Sequence, residues 1–181
     1  MVAVPANDRN LDGYGTPMIE WSRVQQRLDQ GTSQAPGTGG PGRHTPWLAT
    51  TNPNGHPHVV PLGIVWADGK VYFTSGPGTR KSKNLSTDPH CTVTLATEPF
   101  DIVIEGQARR VTDDATLGRL ADLFAAEGWA PTVREGAFYH EFSAPSAGPP
   151  PWYLYELVPE TVFAFGTAEP FGATRFDFKT T

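Results

Sequence analysis

Residues 70–89, KVYFTSGPGTRKSKNLSTDP, carry the local signals that decide the fold of this 181-residue chain. Lys70 to Ser75 contains the β-branched and aromatic residues that favour a strand. A Gly-Pro-Gly sequence at 76–78 then ends the strand, and Thr79 is a suitable N-cap for a short helix. Asp88-Pro89 would stop that helix. The stretch therefore predicts a strand, a glycine-rich turn and a short helix.

The start of this predicted helix concentrates positive charge in a chain whose net charge is −5. Arg80, Lys81 and Lys83 lie beside backbone N–H groups that have no helical acceptor. Such a helix start attracts anions, so the pattern favours a phosphate-binding site. A solvated basic turn is the alternative. A P-loop is excluded, because Arg80 stands where that motif requires a glycine before the lysine.

Length, net charge, cysteine content and hydropathy limit the kinds of protein that this chain can be. The length suits a single domain, and the negative net charge argues against a general nucleic-acid-binding surface. A single cysteine, Cys91, allows no internal disulfide and is typical of a reducing compartment. No apolar run is long enough to span a membrane. We expect a cytoplasmic protein that binds neither nucleic acid nor membrane.

The first part of the chain differs from the rest. Residues 1–18 show no periodicity and read as an extended arm, whereas Trp21, Val24 and Leu28 have helical spacing within residues 20–30. Residues 31–43 form a low-complexity loop, interpreted as either disordered or a binding flap. We therefore divide the chain into residues 1–43, holding arm, helix and loop, and a main domain at 44–181.

The main domain is rich in predicted strands. Most have turn signals between them, and they are WLATT (47–51), HVVPLGIVW (58–66), KVYFTS (70–75), CTVTLAT (91–97), DIVIEGQARRV (101–111), and WYLYELV with TVFAFG (152–166) as a last hairpin. Within 58–66, the almost continuously apolar stretch from Val59 to Trp66 reads as a strand buried on both faces, with Pro61 at an edge or bulge. Gly106 is an expected bulge or bend.

Helices are few in the main domain. Residues 113–127 form the strongest helical pattern, and residues 136–142 predict a further short helix. Six or seven strands with so few helices between them favour a mainly β fold, an antiparallel barrel or sandwich.

No catalytic constellation is evident. His56 and His58 share a face of one strand, but no third ligand is near in sequence, so no metal site is predicted. Cys91 alternates with Val93 and Leu95 and should point inward. The carboxylates are scattered, and the catalytic residues stay unknown. From the residues alone we predict a β domain that binds a phosphorylated molecule.

The order of these parts resembles the pyridoxamine 5′-phosphate oxidase-like split β-barrel superfamily. The matching features are WLATT, the turn NPNG (52–55), HVVPLGIVW, Asp68-Gly69, and the triplet Thr79-Arg80-Lys81 followed by Asp88-Pro89. Within that superfamily, PGTRKSKNL and the closing ATRFDF (173–178) resemble the actinobacterial branch that uses the deazaflavin coenzyme F420. Some members of that branch bind FMN instead.

The resemblance implies a homodimer with two cofactor sites in clefts between the subunits. Thr79, Arg80 and Lys81 would hold the cofactor phosphate, helped by Thr74 and Ser75. The other implied contacts are the backbone of His58, Val59, Val60 and Pro61 along the ring, Lys83 and Asn84 nearby, and Trp152 from the partner chain.

The function implied by the resemblance is hydride transfer between F420H2 and a small planar unsaturated or quinone-like substrate. An FMN-dependent oxidoreductase, or a non-catalytic flavin or F420 carrier, is the alternative. True oxidation of pyridoxamine phosphate is not implied, because the tail FGATRFDFKTT lacks the Arg- and Trp-rich segment of those enzymes and holds only Arg175.

Overall fold

A computed structural model describes residues 4–32 and 43–178 of the chain. The strands are β1 Asn7–Asn10, β2 Trp47–Thr51, β3 Pro57–Pro61, β4 Ile64–Ala67, β5 Lys70–Ser75, β6 His90–Ala96, β7 Phe100–Val111, β8 Thr132–Arg134, β9 Ala137–Tyr139, β10 Tyr153–Gly166 and β11 Ala173–Asp177. The helices are α1 Trp21–Asp29, α2 Arg80–Thr87 and α3 Asp114–Ala126. None of the helices in the described part of the chain is long and apolar enough to cross a membrane.

Antiparallel pairing dominates the molecule and confirms the mainly β split-barrel prediction. Nine strands form one sheet with the path β1-β11-β10-β7-β6-β2-β3, to which β5 joins through β10 and β4 through β5. The first half of β10 pairs with β5 and its second half with β11, while β7 runs along its other edge. The expected six or seven strands undercount the sheet, and β8 with β9 adds a separate ribbon.

The apolar run at 58–66 is two strands, not one. β3 lies at the end of the sheet path, and β4 pairs with β5 instead. Pro61, the last residue of β3, has no N–H to continue a ladder. The expectation of a strand buried on both faces is also wrong here, since Val59 is 53% exposed. Pro61 marks an edge, as the sequence predicted.

The expected last hairpin around Pro159-Glu160 is a single long strand. β10 continues through both residues, and its register with β7 shifts between Pro159 and Thr161. The bulge therefore lies in β10, opposite Gly106 rather than at it. A Cβ on Gly106 would lie 2.0 Å from the Val158 carbonyl oxygen, so only glycine permits this close approach.

Residues 136–142 do not form the expected helix. Ala137–Tyr139 is strand β9, which pairs with β8 and bridges to Trp152 through Phe138. α1 and α3 confirm the helical predictions. α3 begins at the Asp113 cap, and Leu117, Leu120, Ala121 and Phe124 are its buried stripe.

The N-terminal elements pack on the sheet. β1 pairs with β11, and Val24 and Leu28 of α1 lie in the larger hydrophobic cluster with the barrel strands. A second cluster joins α3 to the other side of β5 and β10. Most of the predicted 31–43 loop lies outside the described residues. Strand β5 lies between the two clusters and leads directly into α2.

Candidate functional site

The turn from β5 into α2 is held by a chain of hydroxyl groups. Ser82 Oγ donates to Ser75 Oγ at 2.7 Å, and Ser75 Oγ lies 2.8 Å from Thr79 Oγ1. Thr79 Oγ1 donates to the Gly76 carbonyl oxygen at 2.9 Å and accepts from the Ser82 N–H at 3.3 Å. Thr79 is therefore the N-cap that the sequence predicted.

The direction of the hydrogen bonds among these three hydroxyl groups determines whether any hydroxyl proton is left for a ligand. Ser82 donates to Ser75, Ser75 must donate to Thr79, and Thr79 uses its own proton on Gly76. All three protons are then engaged within the turn. The predicted phosphate ligands Ser75 and Thr79 thus fix the turn in this structure. Ser82, which sequence reasoning missed, is buried and completes the chain.

The three cations of α2 occupy different environments. Arg80 and Lys83 are exposed, whereas Lys81 is half-buried. Burial lowers the pKa of the Lys81 ammonium below its usual value. No carboxylate of the described residues forms an ion pair with Lys81. A half-buried charge without a counter-ion is costly, which makes Lys81 a candidate ligand for an anion.

Lys81 and Thr74 line a cleft of about 520 Å³. One side is the backbone turn between β3 and β4, from Pro61 to Ile64. The rest of the lining comes from Phe124, Trp129 and residues 142–147, which are largely apolar, and from Thr32, Arg43 and Glu127. Its volume is typical of a small-molecule site, and its charged lining residues, Arg43, Lys81 and Glu127, could orient a ligand.

The segment 142–147 is held in place by its own contacts. The Trp129 Nε1–H donates to the Phe142 carbonyl oxygen at 2.8 Å. A Cβ on Gly76 would lie 2.7 Å from the Ala147 carbonyl oxygen, so the segment passes closely over the turn before α2. No role in the site was predicted for residues 143–147. Nothing in local pattern shows that they form a cleft wall, because the contact is long-range.

The β3 residues that were expected beside the ring of a bound cofactor lie on the last strand of the sheet path. His58 and Val60 are half-buried, Val59 and Pro61 are exposed, and of these four only Pro61 lines the cleft. His56 is exposed just before β3. Within residues 4–32 and 43–178, no three His, Cys, Asp or Glu side chains gather as a metal site.

Asn84 does not line the cleft, and its side chain contacts β2 and the turn that follows it. Its Nδ2 donates to Thr50 Oγ1 at 3.0 Å and to Asn52 Oδ1 at 3.2 Å. Its Oδ1 is buried without a hydrogen-bond partner. The structure therefore gives Asn84 the role of joining α2 to the β2–β3 hairpin.

Trp152 is a correction to the predicted site. Its side chain is only 2% exposed and packs against Trp129 in the second cluster, with ring centroids 5.8 Å apart. Its backbone exchanges two hydrogen bonds with Phe138. A side chain that fills the core of its own subunit cannot reach into a partner's cleft. Trp152 is therefore withdrawn as a contact from a partner subunit.

Cys91 carries no reactive thiol. Its side chain is buried, and burial raises the pKa of the thiol to about 12. The thiolate that a nucleophile requires is therefore absent at neutral pH. The inward orientation predicted from its alternating strand is confirmed.

Comparison with known sequences extends these observations. The family described as pyridoxamine 5′-phosphate oxidase matches residues 41–164, which is more than half of the chain and includes the β3–β4 turn, β5 and α2. No protein of curated function matches the sequence.

Solved structures share the fold at low identity. A conserved hypothetical protein from Mycobacterium tuberculosis matches with a TM-score of 0.61 and 16% identity over 86% of this chain and 90% of its own. A putative pyridoxamine 5′-phosphate oxidase from Listeria innocua matches with a TM-score of 0.55 and 15% identity, over 81% of this chain and 98% of its own. A FAD-binding protein from Mesorhizobium loti matches with a TM-score of 0.51 and 18% identity, over 93% of this chain and 96% of its own. At these identities the likeness shows the fold alone.

Proposed function

We propose that this chain, which belongs to the pyridoxamine 5′-phosphate oxidase family of flavin-binding oxidoreductases, is an F420H2-dependent oxidoreductase. Its substrate would be a small planar unsaturated or quinone-like molecule that accepts a hydride. The observation that carries the proposal is Lys81, a half-buried cation in the cleft lining that forms no ion pair with a described carboxylate.

The residues present fit a cofactor with a phosphate and a flat ring. Lys81 and Arg80 would hold the phosphate, together with their own backbone N–H groups in the first turn of α2. The backbone from Pro61 to Ile64 and the aromatic side chains of Phe124 and Trp129 offer an apolar slot for the ring. The bound cofactor supplies the hydride chemistry, so the protein needs no acid or base of its own.

The protein's contribution is position and shielding. The hydroxyl chain of Ser75, Thr79 and Ser82 fixes the direction of α2, and thereby the place of the phosphate. Residues 142–147 form part of the cleft wall and would shield a bound ring from water. Both effects raise the rate of a transfer between two bound rings.

Charge favours F420 over FMN. F420 carries a polyanionic glutamate tail beyond its phosphate, and a chain of net charge −5 would repel that tail unless local cations met it. Exposed Arg80 and Lys83 flank Lys81 on α2. The ATRFDF segment that resembles the F420 branch is β11, away from the cleft lining, so its part is structural.

An FMN-dependent enzyme, or a carrier without catalysis, is the second candidate. FMN has one phosphate, which Lys81 and the first turn of α2 already satisfy. The family that matches residues 41–164 supports flavin chemistry of this kind. Tightly held FMN would give the purified protein flavin absorbance.

Fluorescence titration with F420 and FMN side by side tests the proposal, followed by turnover against a panel of quinone-like and unsaturated acceptors. Lys81→Ala and Arg80→Ala should each weaken cofactor binding about ten- to a hundredfold, the value of a charge-assisted phosphate contact. Arg109→Ala, at an exposed arginine of β7 outside the cleft lining, is the control and should bind normally. Unchanged affinity in both α2 variants would refute the site, and tighter FMN than F420 binding would refute the preferred cofactor.

The proposal includes a homodimer through the outer face of the sheet. One row of outward residues crosses seven paired strands in register: Pro61, Trp47, Thr94, Val103, Phe163, Arg175 and Arg9. Trp47 is 46% exposed and lies beside exposed Val59 of β3. Apolar side chains in such a row are typical of a surface covered by a partner.

A second copy of the chain fits this face best. The face carries acidic Asp101 and Glu105 on β7 and basic Arg9 on β1, so a two-fold-related copy finds both signs of charge. Pro61 belongs both to this face and to the cleft lining. A docked copy would therefore border the cofactor cleft.

Sedimentation tests the dimer. Trp47→Glu should convert it to a monomer of 19.6 kDa at micromolar concentration, because a carboxylate would be buried in the interface. Phe171→Glu, at an exposed aromatic in the loop after β10, is the matched control and should stay dimeric. A monomeric wild-type protein would contradict the assignment.

A further inference from the structure

One buried side-chain donor in the described part of the chain is left without an acceptor. The Trp152 side chain is only 2% exposed, yet its Nε1–H, which is itself buried, donates to no described atom. A buried donor has lost its hydration, so nearly all such groups are paired in folded proteins. The surroundings of this indole indicate how its N–H finds a partner.

The Trp152 indole lies directly behind the cleft wall. Trp129, whose ring centroid is 5.8 Å from that of Trp152, lines the cleft, and so does Ala147, which packs against the same hydrophobic cluster. A Cβ on Gly76 would lie 3.6 Å from Trp152 Cδ1, the atom bonded to Nε1, and 2.7 Å from the Ala147 carbonyl oxygen. The N–H edge of the ring and the Ala147 peptide therefore meet at one point, beside the turn that leads into α2.

The segment that carries Ala147 is attached mainly at its two ends. The chain is held at these ends by hydrogen bonds of Phe142 and of the Trp152 backbone. Between them, residues 143–151 make one hydrogen bond within the described part of the chain, from the Ala147 N–H to the Ala144 carbonyl oxygen at 2.8 Å. That bond closes a turn inside the segment itself. So few hydrogen bonds to the rest of the fold are typical of a segment that opens locally.

Gly148 gives this segment a pivot. Its φ is +72°, in the left-handed region that glycine adopts without strain, and a Cβ there would meet nothing within 4 Å. Between residues 143 and 150, only Ser143 and Ala147 are half-buried, and the other residues are exposed. A rotation at Gly148 would therefore break little packing beyond that of Ala147.

We propose that residues 143–149 are a flap in the cleft wall, which pivots at Gly148 and lifts Ala147 away from Trp152. In the closed form the indole N–H has no described acceptor, whereas in the open form water reaches it and supplies one. This hydration offsets part of the packing that Ala147 loses, so both forms are accessible to the folded protein. The open form widens the cleft for a ligand to enter or leave, and the closed form shields it. The flap belongs to the free protein and does not depend on which ligand the cleft binds.

Solvent exchange of the indole N–H, followed by NMR on the 15N-labelled full chain, tests the flap. Trp152→Phe assigns the signal, because it removes that one indole resonance. After correction for intrinsic rates, we expect the Trp152 indole N–H to exchange about tenfold or more faster than the backbone N–H of the same residue. That backbone N–H donates to the Phe138 carbonyl oxygen at 2.9 Å and is released only when the bridge to β9 breaks. Equal corrected rates for the two groups would overturn the proposal.

Gly148→Ala and Gly55→Ala form a matched pair of variants. Gly55 also has a positive φ, +83°, with nothing within 4 Å of a Cβ, but it lies in the turn between β2 and β3. Alanine strains both turns alike, and only Gly148→Ala strains the closed flap. It should speed exchange of the Trp152 indole about five- to thirtyfold and leave the Trp129 indole unchanged, because Phe142 stays anchored. Equal acceleration by both variants, or of both indoles, would overturn the proposal.

Discussion

The two ends of strand β5 present a lysine in opposite electrostatic situations. At the start of the strand, Lys70 has Glu156 as a partner at 2.7 Å, and that hydrogen bond raises its pKa. Beyond the end of the strand, Lys81 has no described carboxylate beside it, and burial lowers its pKa. A lysine ammonium group therefore has a partner within the fold at one end of the strand and no described counter-ion beyond the other end.

The difference separates a structural charge from a functional one. An ion pair within the chain contributes to folding and needs nothing from outside. A half-buried ammonium without a counter-ion costs stability, and a fold keeps such a group where a ligand later supplies the opposite charge. The comparison therefore supports the proposal of an anion site in the cleft at Lys81 rather than at the more heavily charged end of the strand.

Paired methionine variants give the largest expected effect. Lys81→Met should weaken cofactor binding about ten- to a hundredfold while leaving the melting temperature unchanged or higher, because a buried charge is removed. Lys70→Met should do the reverse: normal cofactor binding and a loss of about 1 kcal/mol in unfolding free energy, since this partly exposed pair is screened by solvent. Titration and thermal unfolding measure both. Loss of stability without loss of binding at Lys81 would reverse the comparison.

The pH dependence of the two lysines should also differ. The free-protein pKa of Lys81 lies below 10.5, and a phosphate binds only its charged form, so cofactor affinity should fall as pH rises through that lowered value. The pKa of Lys70 lies above 10.5, so the stability from its ion pair is complete below 10.5 and is lost only as pH rises through the raised value. Affinity and unfolding free energy measured on one alkaline pH series should therefore decline in that order. Loss of stability before loss of binding would contradict it.

Lys83 should give a smaller and more selective effect. It is exposed on α2, and the proposed role is attraction of the F420 tail rather than contact with the phosphate. Lys83→Glu should weaken F420 binding with a steep dependence on salt and change FMN binding little, since exposed charges are screened. Titrations of both cofactors at two ionic strengths measure this. Equal, small losses for both would mean that Lys83 only faces solvent.

Local features of the chain were predictable because their causes are local. The order strand, turn and capped helix over residues 70–89 follows from side-chain shape, a Gly-Pro-Gly break and the Thr79 cap, and the structure confirms each of them. The Cys91, Val93 and Leu95 alternation and the α3 stripe were read correctly for the same reason.

The sequence-based predictions of secondary structure were wrong where a segment pairs with a strand that is distant in sequence. The long β10 reads as a hairpin because Pro159 looks like a turn, yet β7 pairs along both halves of β10 and carries the strand through a bulge. Residues 136–142 read as a helix, but Phe138 bridges to Trp152 and fixes a strand. No pattern within a short window contains these pairings.

The sequence by itself determined the mainly β class, the cap of α2 and the cluster of cations at its start, because propensity, capping and charge act over a few residues. Only the tertiary structure decided which of those cations is half-buried, and that Trp152 belongs to the core. Only the tertiary structure, likewise, made residues 142–147 a wall of the cleft. Burial and long-range contact depend on how the whole chain packs, which no single stretch specifies.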